Sequence, residues 1–295
     1  MARAQKKRRL TTRRRCSGRC TTTSAGCCTR RSTNSAPDSQ LGLRDEMERS
    51  AEQQPESIGE LEYYHNDVFG SQILIRLFEQ QLGNRVLEVG AGVGHITVEL
   101  ARHAEVVVAL EPSPTLFAEL VERTRNIPNI EVHNSTLEQF IGLRKGNLRT
   151  SSITSFDSVV YINVLEHIKD DVAEVQRARS FLATTGKVLI VVPAHQWLYA
   201  EVDRRSGHFR RYSRSVLSDC LSAAGLKVGW IRYFDAVGLL PYLVLYKWRR
   251  STAVSGTNAI VYSRLVLPLS ALLYRLTLGR LVGKNLVAVA QQPRA

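Results

Sequence analysis

The chain has 295 residues, of which 40 are Lys or Arg and 27 are Asp or Glu, a net charge of +13. The excess sits at the ends: residues 1–37 carry 11 basic residues and no acid, residues 236–295 carry 8 and no acid, and the middle is mildly acidic. That distribution excludes reading the whole chain as a nucleic-acid binder from its basic balance. A hydrophobic content of 44% excludes a wholly disordered chain.

Residues 1–57 read as a disordered basic tail and linker, punctuated by Pro37 and Pro55, and residues 58–295 as one domain. Four of the five cysteines, Cys16, Cys20, Cys27 and Cys28, lie in the tail with no nearby His, a spacing that fits no zinc pattern, so no metal is expected. Only Cys220 falls in the body, which points to a reducing compartment. The start is charged but lacks the apolar stretch of a signal peptide. No run reaches the roughly 17 apolar residues of a membrane span. The expected location is cytoplasmic, with contact at the inner face of a membrane left open.

The spacing of Ile73, Leu74, Leu77, Phe78 and Leu82 predicts an amphipathic helix over 61–82. The period then changes. RVLEVG (85–90), EVVVALE (105–111), NIEVHN (129–134), FDSVVYIN (156–163) and GKVLIVVP (186–193) read as five short buried strands. Helix-like stretches at 95–103, 114–125 and 170–182 separate them. A further helix is expected over 213–224, with Ser213 near its start and Gly225 at its end. KVGWIRYF (227–234) and NLVAVAQQ (285–292) read as the sixth and last strands, around an apolar, basic insertion at 236–283. Strands rich in Val, Ile and Leu alternating with helices describe a doubly wound α/β sheet.

VLEVGAGVGHIT (86–97) carries the strongest chemical signal. A strand runs into Gly90, Gly92 and Gly94 and then a helix, where glycines let the backbone approach a ligand and the helix start offers free N–H groups. Glu111 follows at the end of the second strand, placed to accept hydrogen bonds from a ribose diol. The Gly-Lys-Ser/Thr of an ATP loop is missing, and His95 stands where a dinucleotide loop has its third glycine. Glu88, in the strand before the loop, sits badly beside a pyrophosphate and suits a cofactor that carries an amine.

The glycine loop with its preceding Glu88, the acid Glu111 ending the second strand and NVLEH (163–167) after the fourth together resemble class I S-adenosylmethionine-dependent methyltransferases, in particular the bacterial group of methyltransferase types 11 and 12. The resemblance covers about 61–235 and the final strand. It implies a Rossmann-like seven-stranded sheet with an antiparallel last strand, and S-adenosyl-L-methionine as cofactor. It implies that Gly90 to Gly94 hold the methionine part, that Glu111 with Pro112 takes the ribose, and that the loop from Asn134 through Ser135, Thr136 and Leu137 flanks the adenine. Family members often carry Asp in that last loop, where this chain has Ser135 and Thr136.

In an open parallel sheet, ligands bind at the carboxyl ends of strands, so Asn163 and His167 are expected at the site. Transfer to a hydroxyl needs a base, and His167 and His208 are the candidates. PAHQWLYAEVDRRSGHFRRYSR (193–214), the loop after the fifth strand, resembles a segment found in a bacterial subgroup of these methyltransferases. His195, Trp197, Arg210, Arg211 and Tyr212 are expected to line the acceptor, with Arg204, Arg205 and Arg214 adding to a clamp for phosphate or carboxylate. AVGLLPYLVLY (236–246) and LVLPLSALLY (265–274) fit an apolar hairpin at a membrane surface, and equally a lid or dimer face. The expected function is methyl transfer to an oxygen or nitrogen of a small or lipid-linked anionic acceptor, without specific nucleic acid. A non-catalytic scaffold binding membrane or RNA and an NAD-dependent oxidoreductase are the alternatives.

Overall fold

The computed structural model describes residues 68–145, 155–248 and 261–293, so the basic tail lies outside the described residues. Seven strands form one sheet: β1 (Arg85–Val89), β2 (Val106–Leu110), β3 (Ile130–His133), β4 (Phe156–Ile162), β5 (Leu182–Pro193), β6 (Lys227–Phe234) and β7 (Asn285–Gln291). Their order is β3-β2-β1-β4-β5-β7-β6. The first five are mutually parallel, and β7 runs antiparallel between β5 and β6. This is the expected doubly wound architecture with its inverted last strand.

The central strands are predominantly apolar because both faces are covered, with Glu88 of β1 and Ser158 of β4 as buried polar exceptions. Leu87, Val89, Val108, Tyr161 and Ile190 face one helical layer, and Val86, Val107, Val160, Leu189 and Val287 face the other. The layers hold α1 (Val68–Arg76), α2 (His95–Leu100), α3 (Pro114–Thr124), α4 (Leu137–Lys145), α5 (Asp171–Ser180), α6 (Glu201–Arg205), α7 (Arg214–Ala223), α8 (Leu239–Tyr242) and α9 (Leu267–Thr277). Ser113, Asp170 and Ser213 cap α3, α5 and α7 by accepting a backbone N–H from the first turn.

Several boundaries differ from the sequence reading. The helix expected over 61–82 ends at Arg76 and gives way to a short 3-10 turn, Glu79–Gln81, while its start falls outside the described residues. The fifth strand begins at Leu182 rather than 186, with an irregular register that folds the chain so closely at Gly186 that a Cβ there would lie 2.9 Å from the Ala183 carbonyl. Helix α4 carries a weak apolar period and was not expected. The insertion is helical: α8 continues as a wide π-type turn, Leu243–Trp248, and a second such turn, Tyr262–Val266, leads into α9.

Asp235 explains how the insertion is held. It sits at positive φ (63°) where β6 ends, almost fully buried. Its carboxylate accepts from the Gly238 N–H at 2.9 Å, the Ser270 hydroxyl at 2.8 Å and the Tyr262 hydroxyl, and pairs with Lys284 at 3.3 Å. One side chain thus ties both arms of the insertion to the start of β7. Helix α9 docks through Leu267, Ser270, Ala271 and Tyr274, spaced as one helical stripe.

Candidate active site

The site is built where strands end. Gly90 and Ala91 donate their N–H groups to the Leu110 carbonyl at 2.8 and 2.9 Å, folding the loop after β1 over the end of β2. All three loop glycines adopt positive φ, at 74°, 57° and 91°. Gly90 and Gly94 are also sterically required: a Cβ would lie 2.5 Å from Val164 Cγ2 or 2.8 Å from Leu120 Cδ1. Gly92 differs, since nothing lies within 4 Å of where its Cβ would stand. The loop opens onto space at that residue.

Glu111 clasps this loop from β2. Its Oε2 accepts the Gly92 N–H at 2.7 Å and its Oε1 the Ser113 N–H at 2.8 Å. A carboxylate has about four acceptor positions. The Asn134 amide donates to the Glu111 and Pro112 carbonyls at 2.8 and 3.1 Å, joining the loops after β2 and β3. Ser135 is buried and its hydroxyl has no partner. Thr136 and Gln139 cap the start of α4 reciprocally, at 2.9 and 3.2 Å. Leu137, expected to flank a ligand, packs in the core layer with Leu110 and Phe140.

Glu88 lies behind the loop, 3% exposed, accepting the Thr97 hydroxyl at 2.6 Å. Burial pushes its carboxyl up to about 8; the Thr97 bond opposes the rise and nearby Glu111 adds to it. Asn163 ends β4 at positive φ (55°), a conformation that non-glycine residues hold only where the surroundings impose it. Its neighbour Val164 is the residue packed against Gly90, which brings NVLEH to the cofactor loop.

The acceptor side has a centre that the sequence reading missed. Asp203, on α6, is 2% exposed. It accepts the Ala200 N–H at 2.8 Å, the Arg211 Nε at 2.9 Å and the Tyr242 hydroxyl at 2.8 Å, and faces His208 Nδ1 at 3.0 Å. Burial would raise its carboxyl, but the hydrogen bonds from His208 and Arg211 and the Arg211 charge hold it well below the ordinary range. Sequence reasoning registered Asp203 only as one polar residue in a crowded loop. Tyr242 comes from the insertion, and Lys247, also from the insertion, donates to the Tyr199 carbonyl at 2.8 Å.

The expected arginine clamp looks different once folded, because each arginine has an internal partner. Arg204 and Arg205 bond Glu201, at 2.9 and 3.2 Å. Arg210 pairs with Asp171 at 2.8 Å and donates to the Lys169 carbonyl at 2.6 Å. Arg211 is 6% exposed and stacks over the Tyr242 ring. Arg214 lies over the Tyr233 ring and donates to the Gly279 carbonyl at 2.9 Å. Tyr212 is core, with its hydroxyl on Asp171 at 2.7 Å. His195 holds positive φ (64°), stacks on Tyr233, and keeps a buried Nε2 without a partner, while Trp197 beside it is exposed.

His167 and His208 meet edge to face, ring centroids 4.5 Å apart. His167 keeps an exposed surface, yet desolvation of its ring and the nearness of His208 lower its pKa, so it is neutral at pH 7. A basic cavity of about 500 Å³ lined by Arg76, Gln81, Trp230, Arg232 and Arg275 shares no residue with these loops.

A family model described as a methyltransferase domain matches residues 62–229, more than half of the chain. The chain belongs to this methyltransferase family. Its fold is also that of solved class I methyltransferase-like proteins. A candidate methyltransferase of Bacillus halodurans C-125 aligns at 18% identity with a TM-score of 0.50, covering 75% of this chain and 98% of its own. A chain from a complex between a Haloferax volcanii methyltransferase activator and a candidate methyltransferase aligns at 14% identity with a TM-score of 0.52, covering 86% of this chain and 98% of its own. Among curated proteins, histamine N-methyltransferase of Bos taurus is 26% identical over 188 residues, 57% of this chain and 62% of that protein. A probable ribosomal RNA small subunit methyltransferase A of Methanosarcina acetivorans is 47% identical over 47 residues. The chain thus spans 18% and 62% of the length of these two curated relatives.

The methyl donor of this family is S-adenosylmethionine, and the residues present fit it. Gly92 opens onto unfilled space, the Ser135 hydroxyl is buried without a partner, and the Glu111 carboxylate stands beside the loop at the end of β2. No helix among the described residues is long and apolar enough to cross a membrane.

Proposed function

We propose that this protein transfers the methyl group of S-adenosylmethionine to an oxygen or nitrogen of a small or lipid-linked anionic acceptor. The donor supplies an electrophilic methyl on a sulfonium. Gly90 to Gly94, Glu88, Glu111 and the loop at 134–136 hold it, and Asn163 fixes the wall against which the acceptor meets it. His167 and His208 manage the acceptor's proton.

The observation that carries the acceptor side is the fastening of the insertion to Asp203. Tyr242 and His208 share that one carboxylate, so the element bearing the apolar surface and the candidate base are held by the same residue. Outward from there, Leu240, Trp248, Leu265, Leu272, Leu276 and Leu281 are all exposed, Trp248 by 82%. Arg264, Arg275 and Arg280 accompany them, and the last 60 residues contain no acid. Support for an anionic acceptor comes from these cations rather than from Arg204 to Arg214, which are paired. An apolar face ringed by basic residues suits an interface with anionic head groups. The likeness to histamine N-methyltransferase supports nitrogen as one acceptor atom.

The test incubates the protein with methyl-labelled donor and, separately, the aqueous and organic extracts of cells. Label in the organic phase is the expected result. Label confined to the aqueous phase rejects the lipid-linked acceptor, and label in neither rejects methyl transfer to a small molecule.

A further inference from the structure

We propose that Glu166, His167 and His208 bind a divalent transition-metal ion at the acceptor end of the site. One ligand atom from each of the three lies within 4.8 Å of the others. Two imidazoles and one carboxylate form a donor set suited to zinc, iron, cobalt, nickel or manganese in the divalent state.

The first argument is the carboxylate of Glu166. It is 1% exposed, and neither oxygen has a hydrogen-bond partner. A buried carboxylate without partners is costly, and proteins keep such groups paired or bound to a metal. Here the backbone fixes it in place: the Glu166 carbonyl accepts the Phe209 N–H at 2.8 Å, joining the 3-10 turn Leu165–His167 to the strand of residues that carries His208.

The second argument is how the two rings are held. Nδ1 of His208 faces Asp203 at 3.0 Å, which leaves Nε2 as its ligand atom. The His167 ring meets the His208 ring edge to face and lies beside Gly207, its Nδ1 3.9 Å from where a Cβ there would stand. Metal-binding histidines almost always have their second nitrogen fixed as that of His208 is, by a carboxylate or a backbone carbonyl. Asp203 is itself locked by Ala200, Arg211 and Tyr242, so His208 is oriented through a residue that has no freedom to turn. Metal–nitrogen and metal–oxygen bonds of about 2.0–2.2 Å would bring the three ligand atoms to roughly 3–3.5 Å apart. Small side-chain rotations cover that difference.

Three protein ligands leave at least one coordination position open. Val164, two residues before Glu166, packs against Gly90, so the turn that carries Glu166 and His167 starts at the glycine loop. An acceptor hydroxyl bound at the open position loses its proton more readily because the metal lowers its pKa. The histidines then act on the acceptor's proton through the metal. That role rests on the methyl-transfer reading; the metal site itself does not.

The experiment uses the full chain, treated with EDTA and dialysed, then equilibrated with cobalt(II) at pH 7.5. Wild type is compared with Glu166→Gln and His208→Gln, whose cysteine-bearing tails are identical to it and cancel in the comparison. Bound cobalt is counted by atomic emission, the visible d–d spectrum is recorded, and S-adenosylhomocysteine binding is measured by calorimetry on each protein. The proposal expects wild type to bind one more equivalent of cobalt than either variant, with a d–d band and a metal-dependent rise in melting temperature that both variants lack. Equal uptake and equal spectra in wild type and either folded variant overturn it. Loss of S-adenosylhomocysteine binding in wild type would count against the methyltransferase reading and leave the cobalt comparison to stand by itself.

Discussion

Replacing Glu88 by Gln gives a prediction with a sign that structure alone fixes. The carboxyl is buried against Thr97 and titrates near 8, above its ordinary 4.5. A folded-state pKa raised in this way means the native protein holds a proton that the unfolded chain releases. Its contribution is therefore fully present below pH 4.5 and is lost as pH rises toward 8. Between pH 5 and pH 8 the loss amounts to at most about 4 kcal/mol, from three pH units at 1.36 kcal/mol each. Gln is the same size, can still accept from Thr97, and has no proton to lose. Melting curves of the cofactor-free wild type should fall by at most roughly 8–16 °C relative to Glu88→Gln over that interval, since 1 kcal/mol shifts a domain of this size by about 2–4 °C. Glu166 also titrates high, at about 7, but contributes equally to both proteins. An ammonium group on a bound cofactor favours the ionised form of Glu88, so saturating S-adenosylhomocysteine should flatten the wild-type slope. Parallel curves for the two cofactor-free proteins would refute the reasoning, because Glu88 would then be ionised throughout.

The loop glycines should separate folding from binding. Gly94→Ala places a methyl 2.8 Å from Leu120 Cδ1 at φ 91° and should lower stability by about 1–3 kcal/mol in denaturant melts. Gly92→Ala meets no atom and carries only the cost of its positive φ, about 1–2 kcal/mol, while weakening S-adenosylhomocysteine at least tenfold in calorimetry. Asp203→Ala leaves Arg211 buried without its carboxylate and should cost about 3–5 kcal/mol in urea, whereas exposed Glu201→Ala should leave the urea midpoint nearly unchanged. Sedimentation with anionic vesicles should capture the protein at low salt and release it as salt rises, and Leu272→Glu with Leu276→Glu should abolish capture. Capture of that double variant at wild-type levels would move the membrane contact elsewhere.

The sheet was legible because burial on both faces leaves a direct trace in sequence: uninterrupted runs such as VLIVV at 188–192 have few other uses. The glycine loop was legible because positive φ restricts the residue type, and Gly90, Gly92 and Gly94 all hold it. Charge pairing was not legible. Arg210, Arg211 and Tyr212 look like free donors in a one-dimensional string, yet Arg210 and Tyr212 meet Asp171 some 40 residues earlier, and Arg211 is buried only because Tyr242 of the insertion covers it. Glu166 was hidden for a similar reason. In the sequence it reads as the first turn of a helix beside His167, and only the fold shows that its carboxylate is sealed in while the histidine keeps an open edge. The hub role of Asp235 needed three distant partners, Tyr262, Ser270 and Lys284, that no local pattern connects.

Calorimetric titration of the full chain with S-adenosylhomocysteine, beside Glu111→Ala, tests the central claim most directly. The carboxylate of Glu111 joins the glycine loop to β2 at 2.7 Å, at the strand end where a ribose diol would meet it. Wild type should bind one equivalent in the micromolar range, about −8 kcal/mol. The variant should bind more weakly by about 1–3 kcal/mol, the loss expected for hydrogen bonds to a charged group. Absence of binding by wild type, or unchanged affinity in Glu111→Ala, would contradict the assignment of this loop as the cofactor site.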